Sequence, residues 1–130
     1  MTTAYLDTSA LVRLLHSEQY SDDLETYIDD DDITICTSDL SRTEVIKALG
    51  SEWYNRDVLA RFFSDITVFP ISTVDFEQAG LIGLDDNLRS LDAIHIQVAI
   101  KHSLPLFITY DLRQSAVAAK QGLKVVSPGR

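Results

Sequence analysis

The sequence predicts a three-layer α/β/α sandwich built around a parallel sheet. Two observations lead there. Short apolar, β-rich runs alternate along the chain with segments of helical periodicity, and strands joined through helices pair in parallel by right-handed crossovers. One helical segment, "LDAIHIQVAIKHS" (91–103), is apolar nearly all round, so it must be largely buried. No repeat, low-complexity linker or Pro/Gly-rich boundary interrupts the pattern, and 130 residues suit one domain, 1–130.

In order, residues 4–6 read as a short strand and 9–16 as a helix. A second helix, 19–29, aligns Tyr20, Leu24, Tyr27 and Ile28 on one face. "ITICTS" (33–38) is rich in β-branched residues and reads as a strand. A helix over about 40–54 carries Ile46, Leu49 and Trp53 as its apolar stripe, and one over 57–64 pairs Val58 and Leu59 with Phe62 and Phe63. "ITVFPIS" (66–72) is a strand ended by Pro70. Residues 73–83 are helical, 84–90 a loop and 91–103 the buried helix. "LPLFITYD" (104–111) is a fourth strand, 112–121 a helix closed by Gly122, and 124–127 the last strand.

Composition narrows the classes. The hydrophobic fraction of 45% is ordinary for a globular protein, and no apolar run nears the roughly 18 residues that span a bilayer. The start lacks a secretory layout, since Asp7 interrupts it and Arg13 comes late. A single cysteine, Cys36, makes no internal disulfide and reads as a small strand hydrophobe in a reducing compartment, so the expected location is cytoplasmic. Eleven Lys and Arg against twenty Asp and Glu give a net charge of −9, which argues against non-specific nucleic-acid binding. Part of the excess is the run "DDDD" at 29–32, read as a solvated turn.

Ligands of open parallel sheets bind beyond the carboxyl ends of the strands, so acids there carry weight. Asp7 ends the first strand, and Asp111 ends the fourth, two residues after Thr109. Asp92 projects from the first turn of the buried helix, in line with Ile96 and Ala99. An ionised carboxylate there requires a partner, and His95 and Arg89 are poor local candidates. Each acid also has a plainer account. Asp7 and Asp111 suit helix N-caps, Asp92 suits a helix dipole, and Glu44 suits a capping box with Ser41, off the Ile46/Leu49/Trp53 stripe.

Gathered together, the acids are a different matter. Two like charges 4 Å apart repel by roughly 4 kcal/mol at an effective dielectric of 20, so a cluster needs protons or cations. Oxygen ligands alone select a hard ion such as Mg²⁺ or Mn²⁺. Zinc is disfavoured by one cysteine and by the seven-residue spacing of His95 and His102, which read as packing or surface residues. A carboxylate-held divalent ion suits phosphoryl chemistry and makes the site locally attractive to phosphate in an acidic domain.

The motifs "YLDTSALVRLL", "SRTEVIKAL", "LRSLDAIHIQVAI" and "LFITYDLRQSAVAAKQGLKVVSP" resemble, in this order and across essentially the whole chain, the PIN-domain proteins, and more narrowly the VapC-type toxins. The resemblance implies a five-stranded parallel sheet with the first strand central and the fourth beside it. It maps the family's acidic quartet onto Asp7, Glu44, Asp92 and Asp111, as catalytic residues and metal ligands, with Thr109 and Ser9 supporting the first acid. Glu44 enters the set only through this correspondence. The implied activity is Mg²⁺-dependent endonucleolytic cleavage of RNA, with Mn²⁺ as the other candidate ion. The implied partners are a VapB-like antitoxin, whose C-terminal segment lies over the acidic groove, and a second copy of the chain. Trp53, Tyr54, Phe62 and Phe63 are candidates for the homodimer surface, although core packing suits the phenylalanines. Arg13, Arg42, Arg89 and Arg113 are candidate phosphate contacts or solvated surface residues.

Three rivals remain. A receiver domain wants an aspartate closing its third strand, where this chain has "VFPIS". A haloacid-dehalogenase-like phosphatase wants Asp-x-Asp, but position 9 is serine. A non-catalytic PIN module that binds RNA or a protein partner is set against an intact quartet.

Overall fold

The computed structural model describes residues 1–130. The strands are β1 (Thr2–Leu6), β2 (Ile33–Ser38), β3 (Thr67–Phe69), β4 (Leu106–Ile108) and β5 (Lys124–Val126). The helices are α1 (Thr8–Leu15), α2 (Ser21–Asp30), α3 (Leu40–Trp53), α4 (Arg56–Ser64), α5 (Thr73–Ala79), α6 (Ser90–Lys101) and α7 (Leu112–Lys120). All five strands are parallel, in the order β3-β2-β1-β4-β5, so β1 is central and β4 lies beside it. This is the expected five-stranded three-layer sandwich. No helix is long and apolar enough to cross a membrane.

The alternation of side chains along a strand divides the core in two. Ala4 and Leu6 of β1, with Leu106 and Ile108 of β4, face a cluster completed by α1 to α4. Tyr5 and Phe107, one residue out of phase, face a second cluster made with α5, α6 and α7, where their rings stack 5.4 Å apart. Helix α6 lies in this second layer and buries every residue from Asp92 to Ala99. That burial is why its sequence shows no polar face. Cys36 is free and buried in β2.

Some elements are shorter than the sequence implied. The expected strand 66–72 pairs only over Thr67–Phe69, because Pro70 has no N–H for the ladder. The expected helix 73–83 stops at Ala79 and gives way to turns.

Helix α3 corrects the apolar stripe. Its buried face is Ser41, Val45 and Leu49, while Ile46 and Trp53 are 41% and 53% exposed. Gly50, at φ +70°, breaks the helix and turns Trp53 away from the line that spacing alone projects. Trp53 packs instead beside the His16 ring, 4.3 Å away. The Ser41–Glu44 capping box is also absent. Asp39 is the N-cap, Ser41 lies inside the helix, and its hydroxyl is 2.6 Å from that of Thr37. Of the candidate aromatics, Phe63 is core, Phe62 is partly buried against it, and Tyr54 is 41% exposed.

The layer of α5 and α6 is tied by an ion pair between a buried aspartate and a part-exposed lysine. Asp75, 1% exposed, accepts from the Ser72 backbone at 2.9 Å and from Lys101 at 3.0 Å. Burial works to raise its pKa, but these donors outweigh burial and hold it down at about 2. A depressed carboxylate contributes its full stability above its unfolded pKa, near 4, and loses it as pH falls through the folded value. Urea titrations between pH 5 and 2 should therefore show the wild type losing on the order of 2 kcal/mol that Asp75→Asn, already weaker at pH 7, does not lose.

Candidate functional site

Parallel register sets the geometry of the site. Leu6 pairs with Ile108, so the next residues, Asp7 and Thr109, leave the sheet side by side at its carboxyl edge. Thr109 donates to Asp7 Oδ2 at 2.7 Å. Ser9 donates to Asp7 Oδ1 at 2.7 Å, and the Ala10 N–H caps α1 onto the same oxygen at 3.1 Å. Asp7 is thus both an N-cap and an acid at a strand end, and the two accounts of it are compatible. Its carboxylate is 4% exposed, and burial raises its pKa against the pull of His95 and these donors. The Ser9 oxygen accepts in turn from the Tyr110 N–H, 2.9 Å away, which closes the edge between α1 and β4.

Asp111 follows the same plan. Its Oδ1 accepts from the Gln114 N–H at 2.8 Å, capping α7, and its Oδ2 is left for another partner. That partner is Arg89, whose Nη2 lies 3.2 Å away. The Arg89 Nε lies 2.9 Å from Asp92 Oδ2. A single guanidinium, at the N-cap of α6, therefore spans Asp92 and Asp111. The local partner that sequence spacing could not guarantee for Asp92 is Arg89. Burial pushes the Asp92 pKa up, with the Arg89 hydrogen bond and charge opposing it and the nearby Asp111 charge adding to it.

Glu44 reaches this edge from α3. Its Oε1 accepts from Thr8 at 2.6 Å and from His95 Nε2 at 2.5 Å. Burial acts to raise the Glu44 pKa, but His95 and Thr8 outweigh burial and leave it lowered. An ionised carboxylate only accepts, so the Nε2 of His95 carries the hydrogen, and Nδ1 faces the Tyr5 hydroxyl 2.5 Å away. Tyr5 bonds onward to Ser38 at 2.9 Å. A chain of polar contacts thus runs from β2 through β1 and α6 to Glu44. His95 is 1% exposed and belongs to the site rather than to inert packing. Its one sequence signal was polarity in an otherwise apolar helix, three residues after Asp92.

Two open hollows flank the acids. One, of about 520 Å³, is lined by Asp92, Asp111, Tyr110, Arg89, Arg113 and Arg130 among others. The other, of about 290 Å³, is lined by Glu44, Arg89, Ser90, Leu91 and Asp92. Arg89 and Asp92 are common to both. Arg113 binds only the Asn87 carbonyl, so it pairs with no acid. Arg13 and Arg42 do other work. Arg13 binds the Ser9 and Gln19 carbonyls and covers the Tyr110 ring, and Arg42 pairs with Asp39 beside Phe63.

The donors at this edge are carboxylate oxygens, the ligand type of a hard divalent ion, and two of them already share one cationic group. In kind they fit such an ion. As they stand, no three His, Cys, Asp or Glu side chains gather closely enough to hold one.

A family model described as PIN domain matches residues 4–120. The chain belongs to the PIN-domain family. Curated relatives of this PIN domain include Ribonuclease VapC47 of Mycobacterium tuberculosis, 34% identical over 132 aligned positions that cover 96% of each chain. Ribonuclease VapC35 of the same species is 35% identical and covers 97% of each. Among solved structures, Mycobacterium tuberculosis VapC20, titled a sarcin-ricin loop cleaving toxin, superposes with a TM-score of 0.76 at 20% identity, covering 96% of this chain and 99% of that one. The toxin–antitoxin complex from Klebsiella pneumoniae gives 0.77 at 21% identity, over 96% and 97%.

The Thr109 hydroxyl ties Asp7 to β4 and also lies 2.9 Å from Gln114. Thr109→Val keeps the shape and removes the donor in a fully buried position. Urea unfolding should show a loss of about 1–3 kcal/mol, and an unchanged midpoint would show that this contact does not hold Asp7 in place.

Proposed function

We propose that the chain is a single-domain, metal-dependent endoribonuclease of the VapC type, acting in the cytoplasm as the toxin half of a toxin–antitoxin pair. The observation that carries this is the acidic edge formed by Asp7, Glu44, Asp92 and Asp111 in a chain whose full-length relatives are named ribonucleases. Asp7, Asp92 and Asp111 would hold a divalent cation of the Mg²⁺ or Mn²⁺ class, with Glu44 completing the set. When bound, such an ion polarises a phosphoryl oxygen and lowers the pKa of water.

The chain's own residues supply orientation and proton handling. Ser9, Thr109 and the Ala10 N–H fix both oxygens of Asp7. Glu44 takes both of its hydrogen bonds on Oε1, which leaves Oε2 without a protein partner and able to accept a proton from an attacking water. Arg113 and Arg130, on the rim of the larger hollow, offer charge to the RNA backbone in a domain of net charge −9.

An acidic groove also suits a basic partner segment. Structure neighbours of this chain include the VapBC2 complex of Rickettsia felis and FitAB bound to DNA, which supports a VapB-like antitoxin as the partner here. Exposed Ile46, Trp53, Tyr54 and Val58 on α3 and α4 and the turn between them offer an apolar patch to a second copy of the chain.

Asp7→Asn and Asp92→Asn should each lower Mg²⁺-dependent cleavage of RNA by about 10³-fold or more, as should EDTA on the wild type, with circular dichroism unchanged. Cleavage by either variant at the wild-type rate overturns the assignment. A non-catalytic PIN module predicts RNA or antitoxin binding with no cut ends in any variant, including the wild type.

A further inference from the structure

The placement of Arg89 has a second meaning, which rests on the function proposed above. Its guanidinium is 69% exposed at the side chain, yet it is held by two carboxylates from different elements, Asp92 of α6 and Asp111 at the start of α7. It approaches the same atom type on each, Oδ2. Asp111 Oδ1 is spent on capping α7, so Oδ2 is the oxygen free to serve a cation. Arg89 also lines both hollows, on the side of Glu44 and on the side of Asp111.

A positive group lodged between two acids does electrostatically what a bound ion does. It relieves their mutual repulsion, and it uses the oxygens an ion requires. One oxygen can approach both cations, but the two positive charges repel across it, so occupancy by one opposes the other. We infer that Arg89 is a built-in counter-cation that competes with the divalent ion for Asp92 and Asp111, so that metal loading requires its side chain to swing away. The exposure of Arg89 makes that movement feasible without disturbing the core.

The class of ligand is a hard divalent cation, and the test reads its binding directly. Mn²⁺ alone is titrated into the full chain by calorimetry and by the loss of free Mn²⁺ resonance signal. Wild type, Arg89→Gln, Arg89→Lys, Asp92→Asn and Asp111→Asn are compared. Exposed guanidinium–carboxylate contacts contribute up to about 1 kcal/mol each, so Arg89→Gln should bind Mn²⁺ roughly three- to tenfold more tightly than wild type. Arg89→Lys keeps the charge but loses the planar fork that spans two carboxylates, so it should recover only part of the wild-type weakness. Addition of Mg²⁺ to wild type should shift the Arg89 Nε–H resonance toward that of a solvated arginine.

Equal Mn²⁺ affinity in wild type and Arg89→Gln, with binding lost in the two Asp variants, overturns the competition and leaves the nuclease proposal standing. Binding by Arg89→Lys as tight as by Arg89→Gln also overturns it, since a retained positive charge at this position would then not compete with the ion. Absence of Mn²⁺ binding in wild type and Arg89→Gln alike overturns both proposals.

Discussion

The hydrogen bonds between Asp7 and the hydroxyls of Ser9 and Thr109 are the contact on which the site depends. The Thr109 bond joins residues 102 positions apart, and it exists because Leu6 is in register with Ile108. In a parallel sheet, a slip of one residue turns every side chain to the opposite face. The same slip would bury Phe107 with the wrong cluster and move Thr109 away from Asp7. Core packing and site geometry are therefore one specification. The sheet edge also explains why two of the acids act as helix caps: a cap uses one oxygen, fixes the carboxylate plane, and leaves the second oxygen for another task.

Negative charge is managed at this edge by three separate means. Asp7 is surrounded by neutral donors, Glu44 by a histidine and a threonine, and the Asp92–Asp111 pair by one arginine. The histidine is itself oriented by Tyr5 and through it by Ser38. The result is an acidic region with no buried polar side-chain atom left without a partner.

The order of elements and the layers were legible in the sequence, because alternating short apolar runs and a nearly all-apolar helix admit few arrangements, whereas the central pair of strands followed only from the resemblance to PIN-domain proteins. The positions of Asp7 and Asp111 were legible for the same reason, since strand ends are easy to locate. Glu44 was not. Apolar spacing points to the stripe Ile46/Leu49/Trp53, whereas the true face, Ser41/Val45/Leu49, begins with a serine that a search for apolar residues passes over. Once that face is known, Glu44 sits beside Val45 on its border and points inward with good reason. The full roles of His95 and Arg89 are not legible in the sequence, because Glu44 and Asp111, the acids they reach, lie on elements far away in the chain. Arg89 is an i−3 neighbour of Asp92, but its second contact, to Asp111, depends on how α6 and α7 pack.

The late position of β4 sets the order in which this edge is built. During synthesis β1 emerges first, and Asp7 precedes its Thr109 donor by 102 residues. Asp111 and α7 follow later still. A chain that ends before β4 lacks both the Thr109 donor and Asp111. The edge as a whole therefore cannot assemble until nearly the full length of the chain is present.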